Sequence, residues 1–392
     1  MTSPRDESLT GISSVSSHEH PKRVLVVFGT RPEAIKLCPV IAALRSQAGP
    51  VSLEPIVCVT AQHREMLDQV LDAFRIRPQY DLDLMRPNQA LPELGARLLS
   101  GLARVFSEVK PALAIVQGDT ATTLYGALAA FYAHVPIAHV EAGLRTFDLT
   151  APFPEEMNRV LTGRLAALHF AATDWAAENL LREGVPASSI EVTGNTGIDA
   201  VLAVRNSLEQ GLLRPAPLQF DDGKRLVVVT AHRRESFGEG FRRICSAIAQ
   251  IAKRDDVQVV WPVHPNPNVQ STVHGTFQGH GNVLLVKPLD YVPFVDLMRR
   301  AFILITDSGG VQEEGPSLGK PILVLREKTE RPEAVKAGTV KLVGTDPDLI
   351  VREAERLLDD SMEYNRMSRL HNPYGDGKAS ERVARRIAAQ LG

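Results

Sequence analysis

The chain has 392 residues, 44% of them apolar and 23% charged, with a formal net charge of −2. That length exceeds one typical core and suits two domains. The balanced charge gives no field toward nucleic acid or a membrane surface, and no stretch approaches the ~20 apolar residues of a membrane span.

Residues 1–21 are polar and Ser-rich without an apolar signal core, and are read as a disordered tail. Strands are then expected at Val24–Phe28, Pro55–Val59, Ala112–Val116, Ile137–Val140, His169–Ala172 and Ile190–Thr193, separated by helical stretches such as Pro32–Ser46 and Thr120–Tyr132. The segment from Asn195 to Gly223, helix-like and then loose around Pro215 and Pro217, reads as a hinge region. A second series of strands follows at Leu226–Val229, Gln258–Trp261, Val283–Val286, Phe302–Ile305, Pro321–Leu325 and Thr339–Val343. Such alternation implies α/β architecture: two doubly wound, Rossmann-like domains with parallel sheets facing a cleft. Cys38, Cys58 and Cys245 are odd in number and lack metal-ligand spacing, so they read as reduced core residues of a cytoplasmic protein.

The chain also repeats itself. Val24–Arg31 (VLVVFGTR) is echoed by Leu226–Arg233 (LVVVTAHR), and Ala114–Asp119 (AIVQGD) by Ile303–Ser308 (ILITDS). Ligands of doubly wound sheets sit at the carboxyl ends of strands, where these echoes carry polar residues. Gly29-Thr30-Arg31-Pro32 with Lys36 reads as a phosphate-binding helix start, or as a solvated one. Ser308-Gly309-Gly310 before the helix-like Val311–Leu318 reads as a second phosphate loop, or as a tight turn. Asp119, Glu141 and Glu155 each suit helix capping when taken singly. Together, with His232 in a cationic run, they read as a general acid/base site beside a phosphorylated leaving group, with His264 a weaker counterpart of His232. No metal site is expected, because the acids lack a Ca²⁺-loop spacing and no His pair recurs at helical spacing.

The motifs FGTRPEAIK (28–36), TAQHREMLDQVL (60–71), GDTATTL (118–124), HVEAGLRT (139–146), PEEMNR (154–159), TGNTGIDA (193–200), TAHRRESFG (230–238), TDSGGVQEE (306–314) and TERPEAVKAGT (329–339) closely resemble those of the non-hydrolysing UDP-N-acetylglucosamine 2-epimerases. The resemblance covers roughly residues 22–380. It implies the glycosyltransferase-B architecture: an N-terminal domain of residues 22–194 plus 375–392, whose last part, Lys378–Leu391, returns as a helix, and a UDP-binding domain of residues 195–374. It also implies reversible epimerisation of UDP-N-acetylglucosamine to UDP-N-acetylmannosamine through a glycal, without any cofactor, for surface polysaccharide synthesis, by a homodimer. The intact G-x-G-x-x-G fingerprint of a nicotinamide enzyme is missing after the first strand.

By motif match Asp119, Glu141, Glu155, Lys36 and His232 are the catalytic positions. Asp119 and Glu155 are expected as the proton-transfer pair, Glu141 as a sugar-side stabiliser, and His232 and Lys36 as aids to UDP departure. Arg31, Ser308, Gly309 and Gly310 would bind the diphosphate, Glu314 the ribose and Phe294 the uracil, with Arg331 completing the pocket. Gln62, His63 and His264 match the region where bacterial members bind a second UDP-N-acetylglucosamine as activator, although Asn88 stands where some members carry a basic residue. Gln117 stands where some carry His. A glycosyltransferase of the same fold, a hydrolysing epimerase and a non-catalytic nucleotide-sugar sensor are the competing readings.

Overall fold

The computed structural model describes residues 20–392 except 50, 61–63, 85, 87, 88, 222, 234, 235 and 330, so most of the expected tail lies outside the described residues. Two parallel sheets form, each from the apolar runs anticipated above. The first has the order β3-β2-β1-β4-β5-β6-β7, with β1 at Lys22–Phe28, β2 at Leu53–Val59, β3 at Tyr80–Asp81, β4 at Leu113–Gln117, β5 at Ile137–Ala142, β6 at Leu168–Ala171 and β7 at Ile190–Val192. The second has the order β10-β9-β8-β11-β12-β13, with β8 at Arg225–Thr230, β9 at Val257–Pro262, β10 at Val283–Val286, β11 at Ile303–Thr306, β12 at Ile322–Val324 and β13 at Val340–Leu342. Only β3 was not anticipated; two residues beside Cys58 and Val59 at a sheet edge leave no periodic signal.

Strand order reverses between β1 and β4 in the first sheet and between β8 and β11 in the second. These are the switch points where flanking helices diverge and leave a crevice. The sequence echo therefore has a spatial meaning, because Gly118-Asp119 and Asp307-Ser308 leave their sheets at equivalent positions. Buried threonine pairs join the neighbouring elements at both points: Thr60 and Thr122 share a hydroxyl hydrogen bond of 2.9 Å, and Thr230 and Thr306 one of 2.6 Å.

The expected hinge segment is half strut. Thr196–Glu209 is a helix whose Ile198, Val201 and Val204 are buried in an apolar cluster that also holds Val24 and Phe28 of β1 and Val295 and Met298 of the helix Tyr291–Arg300. Irregular chain is confined to the stretch after this helix and before β8. The final helix, Ala379–Leu391, returns to pack on Arg31–Ser46 and Thr196–Glu209. Its N-terminus is held by Asp199, whose carboxylate accepts from the Ala379 amide at 3.2 Å and the Ser380 amide at 2.7 Å. Asp199→Ala removes this cap from a buried helix end and is expected to cost about 1–2 kcal/mol, read as a lower urea midpoint. An unchanged midpoint would show that apolar packing alone docks the helix. Among the described residues no helix is long and apolar enough to cross a membrane.

Candidate active site

A cavity of about 870 Å³ lies between the halves, lined from the first by Lys36, Gln117, Asp119, Glu141, Glu155, Asn158 and Arg159, and from the second by Glu313, Arg331 and Glu333. Its size suits a small organic ligand. All three expected carboxylates and Lys36 thus converge in one space.

Glu141 occupies a β-bulge in β5, at a register shift between Val140 and Ala142, with φ at +62°. A non-glycine residue there is strained, and the bulge re-aims its side chain into the cavity. One carboxylate oxygen takes the Lys36 ammonium and the other the Gln117 side-chain amide. An ammonium on one oxygen and an amide NH₂ on the other is the pattern of an ionised carboxylate, with the proton of the pair on Lys36. Burial works to lower the Lys36 pKa, but the charges of Glu141 and Glu313 outweigh it and the net shift is upward. Burial likewise pushes the Glu141 carboxyl up, against the pull of Lys36.

Asp119 follows Gly118, which turns with φ at +72°. The turn is pinned by the ring of buried His139, whose Nε2 lies 2.7 Å from the Gly118 carbonyl, and by Asn158 donating to the Asp119 carbonyl at 2.8 Å. Arg159 donates to Asp119 Oδ2 at 2.6 Å. Burial raises the Asp119 carboxyl pKa, Arg159 and Lys36 oppose it, and Glu155 adds to it. Glu155 opens the helix Glu155–Leu165 and faces the cavity, whereas Glu156 is fully buried and accepts from the Thr146 amide at 3.0 Å and the Phe147 amide at 3.1 Å. Of the two adjacent acids, the first is free for chemistry and the second ties down a loop.

The two glycine loops differ. In the first half the Gly29 and Thr30 amides, read above as an anion cradle, donate instead to Glu33 at 3.1 and 2.7 Å. Glu33 forms a capping box with Thr30 and also accepts from the Thr120 hydroxyl at 2.7 Å. The chain's own carboxylate fills that cradle, and Arg31 stands at the first helical position without it. In the second half the Gly309 and Gly310 amides open the helix Gly309–Glu314 and meet no acceptor among the described residues. The Arg331 guanidinium lies over Gly309 so closely that a Cβ there would sit 2.5 Å from its central carbon.

Arg331 in turn donates to Glu313 at 2.6 Å, and Glu313 accepts at 2.9 Å from Asn195, the residue that caps the helix Thr196–Glu209. Glu314 is half-buried beside Glu313, and desolvation together with the Glu313 charge pushes its carboxyl up to about 8, with Lys36 and Arg31 opposing. Phe294 is half-buried against the shared apolar cluster.

Arg31, His232, His264, Phe294, Ser308, Gly309, Gly310 and Glu314 do not line the cavity itself. His232 and His264 are instead brought to each other, their rings stacked with centroids 5.2 Å apart at 11°. Gln62, His63 and Asn88 lie outside the described residues. Sequence reasoning missed Asn158, Arg159, Asn195, Glu313 and Glu33. All five sit inside motifs already singled out, but nothing local marks Asn195 as a partner of Glu313.

The sequence profile described as UDP-N-acetylglucosamine 2-epimerase matches residues 45–388. A protein of Ralstonia solanacearum named a probable UDP-N-acetylglucosamine 2-epimerase is 57% identical over 374 residues, 94% of this chain and 99% of its own. The UDP-N-acetylglucosamine 2-epimerase of Escherichia coli (strain K12) is 55% identical over 368 residues, 92% of this chain and 97% of its own. A crystal structure of UDP-GlcNAc 2-epimerase from Neisseria meningitidis bound to UDP-GlcNAc superposes with a TM-score of 0.84 at 45% identity, covering 94% of this chain and all of that one.

Proposed function

The chain belongs to the UDP-N-acetylglucosamine 2-epimerase family, and we propose that its cavity interconverts UDP-N-acetylglucosamine and UDP-N-acetylmannosamine by eliminating and re-adding UDP. The observation that carries this reading is the convergence of Asp119, Glu141, Glu155 and Lys36 in one cavity beside the open glycine amides.

The C2 hydrogen of the sugar is not acidic, because no carbonyl neighbours it. As the C1–O bond to UDP lengthens, positive charge develops at C1 and the C2–H bond becomes acidic. In the elimination a carboxylate takes the C2 proton, the C2–H electrons become the C1=C2 bond of the glycal, and the C1–O electrons leave with UDP. In the return step the UDP oxygen re-attacks C1 while a second acid delivers a proton to the opposite face of C2.

Asp119 is the base we assign on the N-acetylglucosamine side: burial strengthens it and its second oxygen is left for substrate. Glu155, exposed to the same cavity, serves the other face. Glu141 is unsuited to proton transfer while Lys36 and Gln117 occupy both oxygens, and it stabilises positive charge at C1. The Gly309 and Gly310 amides, Ser308, Arg31, Arg331 and His232 hold the departing diphosphate, with Glu314 and Phe294 toward the nucleoside. Cavity walls from both halves exclude water from the glycal, which separates epimerisation from hydrolysis.

Further parts of the reading are a cytoplasmic homodimer, domain limits near residues 194 and 375, and activation by a second UDP-N-acetylglucosamine. The homodimer is supported by adjacent exposed Phe131 and Tyr132 at the end of the helix Ala121–Tyr132.

Proton NMR of UDP-N-acetylglucosamine in D₂O tests the reaction. Deuterium at C2 with growing UDP-N-acetylmannosamine is the expected result. Stoichiometric UDP and free N-acetylmannosamine would mean hydrolysis, and unchanged but bound substrate would leave a transferase or a sensor.

A further inference from the structure

Asp307 directly follows β11 at the switch point of the second sheet, as Gly118 follows β4 in the first. It is completely buried, and no step above uses it. Its Oδ2 accepts from the backbone amides of His232 and Arg233, both at 2.7 Å. Its Oδ1 is also buried and accepts no hydrogen bond, yet it lies 3.2 Å from His232 Nδ1. A buried carboxylate oxygen without a donor is costly, and that ring nitrogen is within reach to supply one. Small rotation of the imidazole closes the bond, as happens when active-site hydrogen bonds tighten on ligand binding. The ring of His264 stacks on that of His232, and its own Nδ1 accepts from the Asn266 amide at 3.1 Å, so that nitrogen is not a donor to Asp307.

We propose that Asp307 is a positioning residue that holds His232 with Nδ1 protonated and Nε2 turned toward the departing diphosphate. The proposal rests on the reading of His232 given above. A neutral imidazole has one protonated nitrogen, and the partner of the other decides which. With Nδ1–H committed to Asp307, Nε2 is the nitrogen that exchanges a proton with a phosphate oxygen: it gives that proton up as UDP departs, leaving the neutral Nδ1–H imidazole, and takes it back as UDP re-adds.

Two measurements on the full-length enzyme test this. The first is a long-range ¹H–¹⁵N spectrum of histidine-labelled wild-type protein, with His232 assigned by its loss in His232→Gln. The Nδ1–H tautomer is expected, and an Nε2–H tautomer overturns the proposal whether or not any Asp307 variant folds. The second is turnover by Asp307→Asn. The Asn oxygen still accepts from the two amides, but its NH₂ now faces Nδ1 and forces the other tautomer. We expect kcat to fall by about 10²–10⁴-fold with KM changed by no more than a few fold. If His232→Gln is slow and Asp307→Asn is not, the proposal alone falls. If His232→Gln turns over at the wild-type rate, the reading of His232 falls and takes the proposal with it.

Discussion

Asp119→Asn is expected to lower kcat by about 10²–10⁴-fold in both directions, the contribution of one positioned base. Asn is nearly isosteric and its carbonyl still accepts from Arg159, so the turn at Gly118, pinned by His139 and Asn158, should survive. What disappears is the basicity that burial confers on this carboxylate. The sign of its pH dependence follows. A raised carboxyl pKa moves the acid limb of the rate profile upward, so wild-type kcat with UDP-N-acetylglucosamine as substrate falls as pH drops through that value, and this limb vanishes in the variant. The two-base arrangement predicts an asymmetry as well. Starting from UDP-N-acetylmannosamine, Glu155 can still remove the C2 proton and release UDP, but reprotonation on the other face fails. Asp119→Asn should therefore release UDP and glycal from UDP-N-acetylmannosamine and almost none from UDP-N-acetylglucosamine. Glu155→Gln should show the reverse. A variant that keeps more than a tenth of wild-type kcat removes Asp119 from the mechanism, and equal glycal release from both sugars exchanges the assignment for a single shared base.

The strands and their carboxyl ends were legible because buried parallel strands must be apolar along their whole length, and the polar residue that ends each run is the residue the fold presents to the crevice. Asp119 was found this way. Glu141 was also found, but its setting was not: it was expected after the strand, whereas it lies inside β5 at a bulge with a left-handed backbone. Sequence alternation carries no signal for one extra residue in a ladder.

The first glycine loop shows a different limit. Gly29-Thr30-Arg31-Pro32-Glu33 has the composition of an anion site, and it is one, occupied by Glu33 from the same turn. Composition reports that amides are available, whereas only geometry reports which acceptor reaches them first. Because Glu33 also takes the Thr120 hydroxyl, it ties the helix start after β1 to the turn after β4 that carries Asp119. Contacts between the halves, such as the Thr173 hydroxyl donating to Glu333 at 3.3 Å, were not legible at all. Each partner looks like an ordinary helix-terminal polar residue until the two sheets face each other.

Lys36→Met should abolish turnover and also destabilise the fold. The Lys36–Glu141 pair is largely withdrawn from solvent, with 19% and 12% of the two side chains exposed. Removing one partner of such a pair strands a buried charge, typically at about 3–5 kcal/mol. Here Gln117 still donates to Glu141, which places the expected loss toward the lower end of that range. The stranded carboxylate can also escape by taking a proton. Without Lys36, burial pushes the folded-state pKa of Glu141 further above its unfolded value, so the folded state binds a proton more readily than the unfolded chain. Stability of the variant should then fall as pH rises from the unfolded carboxyl pKa through the raised folded one, and be partly restored in acid. The double variant Lys36→Met/Glu141→Gln removes the charge altogether. It should recover most of the lost urea midpoint and lose the pH dependence while remaining inactive. Equal midpoints for the single and double variants at neutral pH would overturn this reading, showing that no buried charge is stranded when Lys36 is removed.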